Sequence, residues 1–83
     1  MNIYKNLLDK TFPYKDYSLE DLIDFIDDVN YFAKNKQILI GKLVLEAQKK
    51  DWFALNKISK QLGLKKRTLE AYRQKAKKHG TLQ

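Results

Sequence analysis

Lys65, Lys66 and Arg67 stand in a row, and Gln74 and Lys78 follow at helical spacing. These residue types bind anions and base edges rather than make or break bonds. A guanidinium presents a fork of donors that can grip the O6 and N7 of a guanine. A carboxamide can address adenine, and an ammonium neutralises a phosphate. At 100° per residue, Arg67, Ala71, Gln74 and Lys78 fall within about 60° on one side of a helix. Ala71 can meet a thymine methyl there. Glu70 flanks the same side. Its carboxylate can accept from cytosine N4, orient Arg67 or Arg73, or pair along an exposed helix surface.

Other groups that could do chemistry are isolated. The chain has no cysteine, which excludes a disulfide framework and a thiolate metal site. Its one histidine, His79, is read as a helix-end or solvent residue. Asp24, Asp27 and Asp28 make an acidic solvated face, since no glycine-containing loop presents them together to a cation. No nucleophile–base pair, phosphate loop or metal cluster is legible. The chain is expected to be neither an enzyme nor a carrier of metal or cofactor.

The charge is divided between two halves. Residues 1–35 hold four lysines against seven carboxylates, and residues 36–83 hold thirteen cations against three carboxylates. The net charge of +7 thus lies entirely in the second half. A strongly basic half on a small domain suggests a polyanionic partner, and by charge alone a merely solvated lysine surface fits equally well. Eighty-three residues support one core, so residues 1–83 are read as a single domain. The longest aliphatic runs are the triplets Ile38–Ile40 and Leu43–Leu45, far from the roughly 20 apolar residues of a membrane span. Without a secretory pattern at the N-terminus, a cytoplasmic location is expected.

Helices must position these groups. Residues 2–10 form a candidate short helix with Ile3, Leu7 and Leu8 on one side, ended by Pro13 and the aromatic stretch Phe12–Tyr17. Ser18 is an N-cap with Asp21 three residues on. From there Leu22, Ile23, Phe25, Ile26, Val29, Phe32 and Ala33 fill half a wheel, and Glu20, Asp21, Asp24, Asp27 and Asp28 fill the other. This amphipathic helix covers about residues 19–34, with Asn35 as its stop. Its apolar side can pad the core or pair with a second copy of the chain. Its acidic side can face a protein partner.

Residues 37–49 are apolar nearly all round, with Lys42, Glu46 and Lys49 as a narrow polar strip. A central helix fits, with Gly41 admitting a close neighbour; a hairpin turning at Gly41-Lys42 is the rival. Asp51 is expected to cap the next helix, on whose buried face Trp52, Leu55, Ile58, Ser59 and Leu62 align. Trp52 and Phe53 are therefore read as core rather than as a base-stacking platform. The tyrosines Tyr4, Tyr14, Tyr17 and Tyr31 are read with the same caution. Gly63 ends that helix, and a last one runs from about Lys66 to Lys78 with Leu69, Tyr72 and Ala76 inward. Lys77, Lys78 and His79 suit its C-terminus, and Gly80 stops it.

Residues 55–74, LNKISKQLGLKKRTLEAYRQ, resemble the helix-turn-helix of DNA-binding proteins over about a quarter of the chain. Ser59 is the small residue where the second helix crosses, a position more often alanine. Gly63 is the turn residue tolerant of positive φ. Ile58, Leu62, Leu64, Leu69 and Tyr72 are the apolar positions around the turn. The cations Lys65, Lys66 and Arg67 crowd a helix start that the peptide dipoles already make positive, and no side-chain acceptor follows Leu64. A phosphate or guanine edge would relieve that conflict.

The resemblance implies sequence-specific binding of duplex DNA, with Lys66, Arg67 and Ala71 reading bases. Thr68, Glu70, Gln74 and Lys78 join that surface, and Lys57, Lys60, Lys65, Lys75 and Lys77 suit phosphates. It also brings a homodimer into view, because such units commonly bind paired half-sites. A small bacterial, phage or plasmid regulator, or an accessory factor for transcription, replication, transfer or recombination, fits this size. The alternative is a protein-interaction module, with a structural bihelix and an acidic helix 19–34 that binds a partner. The fold expected either way is all-α, four or five short helices.

Overall fold

Ser18 and Asp21 exchange hydrogen bonds in a computed structural model that describes residues 12–32 and 36–78, with Phe32 described in its backbone alone. The Asp21 N–H donates to Ser18 Oγ and the Ser18 N–H donates to Asp21 Oδ2, each at 3.1 Å. This reciprocal cap satisfies two otherwise free donors and opens α1, Leu19–Phe32. Leu22, Ile23, Ile26 and Val29 are buried, while Glu20, Asp21, Asp24, Asp27 and Asp28 are exposed. These four apolar side chains of α1 therefore pad the core within the chain and are not left for a second copy.

The chain is all-α: α1 is followed by α2 (Lys36–Lys50), α3 (Ala54–Leu62) and α4 (Lys66–Lys78), with no strand among the described residues. The hairpin alternative falls, because Ile38–Ile40 and Leu43–Leu45 lie on consecutive turns of α2. A helix apolar on most sides must be covered on most sides, and α2 packs against α1, α3 and α4. Leu39, Ile40, Leu43, Val44 and Ala47 form the centre of the core. At Gly41 the backbone of α4 passes close to α2. A Cβ there would lie 2.0 Å from the Tyr72 carbonyl oxygen and 2.9 Å from Ala76 Cβ.

The polar strip of α2 is partly covered: Lys42 is buried and Glu46 half-buried, while Lys49 is exposed. Lys42 is only 7% exposed. Its ammonium donates to Glu46 Oε2 at 2.8 Å and lies 5.4 Å from the centre of the Tyr14 ring. Lys49 donates to the same oxygen at 3.1 Å. The cover is the segment after Pro13, where a single 3-10 turn, Tyr14–Asp16, carries Tyr14 into the core. Phe12 stacks on Tyr17 at 5.5 Å, and Tyr17 meets Phe25 of α1 edge-on at 5.2 Å. The aromatic stretch that breaks the helical pattern thus ties α1 to the segment lying over α2. Burial pushes the Tyr14 hydroxyl pKa up, and the neighbouring Glu46 carboxylate adds to the rise. Burial also pushes Glu46 upward, but the hydrogen bonds from Lys42 and Lys49 outweigh it and hold the carboxyl below its ordinary value. The candidate helix at 2–10, Tyr4, the Asn35 stop, the Phe32 and Ala33 side chains, His79 and Gly80 lie outside the described residues.

Candidate nucleic-acid interface

A left-handed glycine sets the angle between α3 and α4. Gly63 has φ 69°, and its N–H donates to the Ser59 carbonyl at 2.9 Å. That bond satisfies a carbonyl the helix end would leave free, and the positive φ turns the chain sharply away. Nothing lies within 4 Å of a Cβ built on Gly63, so only the backbone conformation demands glycine. The half-buried Ser59 donates from Oγ to the Leu64 carbonyl at 2.6 Å. An alanine, commoner at this place in the resembling motif, would leave that carbonyl without its donor. Leu64 packs against the core beyond the turn, and Ile58 and Leu69 are fully buried on either side of it.

α4 begins at Lys66 with no acidic residue in its first turn. The residue before it is Lys65, whose ammonium only donates and cannot cap the free N–H groups of that turn. Lys65, Lys66 and Arg67 are all exposed there. Leu69 and Ala76 are buried, and Tyr72 packs half-buried against the core, as the wheel requires. The opposite side carries Arg67, Ala71, Gln74 and Lys78, all exposed. None of the polar three, Arg67, Gln74 and Lys78, forms an ion pair or side-chain hydrogen bond with a described residue. From Arg67 to Lys78 this stripe runs about 16 Å, the rise of roughly five base pairs.

The flanking candidates are not equivalent. Thr68 is half-buried beside the stripe, and Lys60 and Lys77 are exposed. Glu70 lies 3.5 Å from Arg73, one of the two arginines it was positioned to orient. Lys75 donates to the Gln37 side chain of α2. Lys57 pairs with Asp51 Oδ2 at 2.6 Å. That bond, with the Phe53 N–H, holds the Asp51 carboxyl below its usual range, and Asp51 in turn raises the Lys57 pKa. Lys57 and Lys75 therefore already have partners within the chain, whereas Lys60, Lys65 and Lys66 have none among the described residues.

The start of α3 corrects the sequence reading. The helix begins at Ala54, not at Trp52, and Asp51 is not its N-cap. Asp51 instead builds a turn. Its Oδ1 accepts from the Phe53 N–H at 2.8 Å and its carbonyl accepts from the Ala54 N–H at 3.0 Å. Trp52 and Phe53 are the two central residues of that turn, and Phe53, at φ −96° and ψ 16°, has the conformation of a type I turn's third residue. Central turn residues point away from the chain, so Trp52 is 84% exposed and Phe53 59% exposed instead of core. The sequence signal for this was Asp51, whose side chain favours such a turn as readily as a helix cap. Ala54, which the wheel passed over, takes the buried place. The tyrosines divide in the same way: Tyr14 is core, Tyr17 is half-buried in the aromatic cluster and Tyr31 is exposed.

No family model, curated protein or solved structure matches the chain. Among the described residues no group of three or more acidic or histidine side chains is placed to hold a metal ion, and no helix is long and apolar enough to cross a membrane.

Proposed function

We propose that the chain is a non-catalytic, sequence-specific binder of duplex DNA, with α3 and α4 as a helix-turn-helix and α4 as its recognition helix. The observation that carries the reading is the exposed stripe Arg67, Ala71, Gln74 and Lys78 behind an uncapped, basic helix start. A structural helix gains from an acceptor at its N-cap and from carboxylates in its first turn. Here both are replaced by cations, an arrangement that a phosphate would complete. Arg67 and Lys66 then reach base edges, Ala71 and Gln74 continue along the groove, and Thr68, Glu70 and Lys78 border it. Lys65 and Lys60 take phosphates; Lys57 and Lys75 join only by exchanging their present partners. A regulatory or accessory role in transcription, replication, transfer or recombination, in the cytoplasm and on paired half-sites as a homodimer, fits a domain of this size.

The experiment is a titration of a mixed-sequence duplex at low and moderate salt. Binding should be tight at low salt and fall steeply as salt rises, because each neutralised phosphate releases counterions. Absence of binding at low salt refutes the reading. A second reading rests on α1, whose exposed carboxylates Glu20, Asp21, Asp24, Asp27 and Asp28 present a field that a basic protein partner would complement. It predicts unimpaired partner binding when Arg67, Gln74 and Lys78 are neutralised together.

A further inference from the structure

The turn between α2 and α3 displays two large aromatic side chains to solvent, and folding alone offers no reason for it. An aromatic side chain carries 150–250 Å² of area that gains by burial. Trp52 and Phe53 forgo most of that gain, at 84% and 59% exposure. The backbone that carries them is nonetheless held in place. The Asp51 side chain and carbonyl close the turn beneath them, and Lys57 of α3 anchors the same carboxylate at 2.6 Å. An aromatic pair on a braced turn has little backbone freedom left to lose on binding.

The surroundings select the occupant. Lys49 and Lys50 precede the turn, and Lys57 and Lys60 follow it on α3; all four are exposed. Along the chain the one carboxylate between Lys49 and Lys60 is Asp51; Lys57 is held by it and also feels Glu20 of α1, and Lys49 donates to Glu46, which leaves Lys50 and Lys60 without a partner among the described residues. A second copy of the chain docking symmetrically through this same surface would set these lysines against their own kind. A membrane surface would receive only two apolar side chains, because Leu55, Ile58 and Leu62 of α3 face the core. An unpaired nucleic-acid strand satisfies both features at once, since its bases stack on aromatic faces and its phosphates meet Lys50 and Lys60. We infer that Trp52 and Phe53 form a stacking platform for unpaired nucleotides, separate from the α4 stripe. This chain would then hold a duplex together with an adjoining single strand. The inference rests on the reading of the chain as a nucleic-acid binder but not on duplex recognition by α4.

Trp52 is the only tryptophan, so its emission reports on the platform directly. The full chain is titrated with a blunt duplex, the same duplex carrying an oligothymidine tail, and the oligothymidine alone, following Trp52 emission and the anisotropy of labelled DNA together. The tailed duplex and the free strand should quench Trp52, and the blunt duplex should bind without comparable quenching. Trp52→Ala should weaken tailed-duplex binding by about 5–100-fold and leave blunt-duplex binding within about twofold, and Trp52→Phe should restore most of the loss. If the tailed duplex binds while Trp52 emission is unchanged, the platform is refuted and duplex recognition stands. If the free strand binds and quenches while the blunt duplex does not bind, the platform stands and duplex recognition by α4 fails. If no DNA binds at low salt, both are refuted. An emission change produced by phosphatidylserine–phosphatidylcholine vesicles, or by raising the protein concentration, and not by tailed DNA, overturns the inference in favour of a membrane or a second copy.

Discussion

Replacing Gly41 by alanine tests the contact on which the placement of α4 depends. In an isolated helix the change would help, since alanine is about 1 kcal/mol better than glycine at an interior position. In this fold the added Cβ would sit 2.0 Å from the Tyr72 carbonyl oxygen, 2.6 Å from its carbon and 2.9 Å from Ala76 Cβ. To reach an ordinary contact of about 3.5 Å, α4 must draw back by roughly 1.5 Å. The nearest atoms are backbone, so no side-chain rotation relieves the overlap. Overpacking costs about 1–3 kcal/mol, and an overlap with backbone that also loosens Leu69 and Tyr72 belongs in the upper part of that range, about 2–3 kcal/mol. Set against the helical gain, the net loss should be about 1–2 kcal/mol, which lowers the melting temperature by about 5–15 °C for a domain of this size. The assay is thermal and urea unfolding followed by circular dichroism. A melting temperature equal to or above that of the parent chain would show that α2 and α4 are not so close, and the exposed stripe of α4 would need a different placement.

The remaining outcomes probe the turn, the core, the covered ion pair and the stripe. Gly63→Val should cost about 1–2 kcal/mol through left-handed backbone strain alone, and Gly63→Asn should recover much of it; equal melting of all three chains would contradict the turn. Leu69→Ala should leave a cavity costing about 2–5 kcal/mol in urea unfolding, and an unchanged midpoint would place Leu69 outside the core. Glu46 has a depressed folded pKa, so its contribution is present above its unfolded value of about 4.5 and is lost as the pH falls through the folded one. Glu46→Gln should therefore destabilise by about 1–3 kcal/mol at pH 7, with the gap to the parent chain narrowing towards pH 3; a gap independent of pH would remove the linkage. Arg67→Ala should keep the melting temperature and cost about 1–3 kcal/mol on a selected duplex with relaxed preference at one base. Lys60→Ala should weaken all duplexes alike and shallow the salt slope by about one unit. Equal weakening of matched and one-base-variant duplexes by Arg67→Ala would make Arg67 a phosphate contact and pass base reading to Lys66 or Gln74.

Local physics determines much of this protein. Ser18 and Asp21 start α1 because their side chains can serve the free N–H groups of its first turn, and that capacity is readable from two letters three places apart. The inward sides of α1 and α4 follow from a period of 3.6, and Gly63 follows from the scarcity of residues that accept positive φ. The candidate stripe on α4 is legible for the same reason, since Leu69 and Ala76 inward oblige Arg67, Gln74 and Lys78 to face outward. Tertiary structure decided what periodicity leaves open. Residues 38–45 fitted a helix with a hairpin as rival, until three neighbouring helices gave the apolar sides of α2 something to bury against. Lys42 belongs to a polar strip by pattern, yet the turn carrying Tyr14 folds over it, and Glu46 then has to satisfy its charge. Lys57 and Lys75 differ from Lys60 only in having Asp51 and Gln37 within reach. Trp52 is the sharpest case, because hydrophobicity argues for the core and the wheel agrees. Its exposure turns on whether Asp51 caps a helix or closes a turn, a choice between two hydrogen-bond patterns of similar local energy that is settled where α3 must pack its Ala54 and Ile58 against α2.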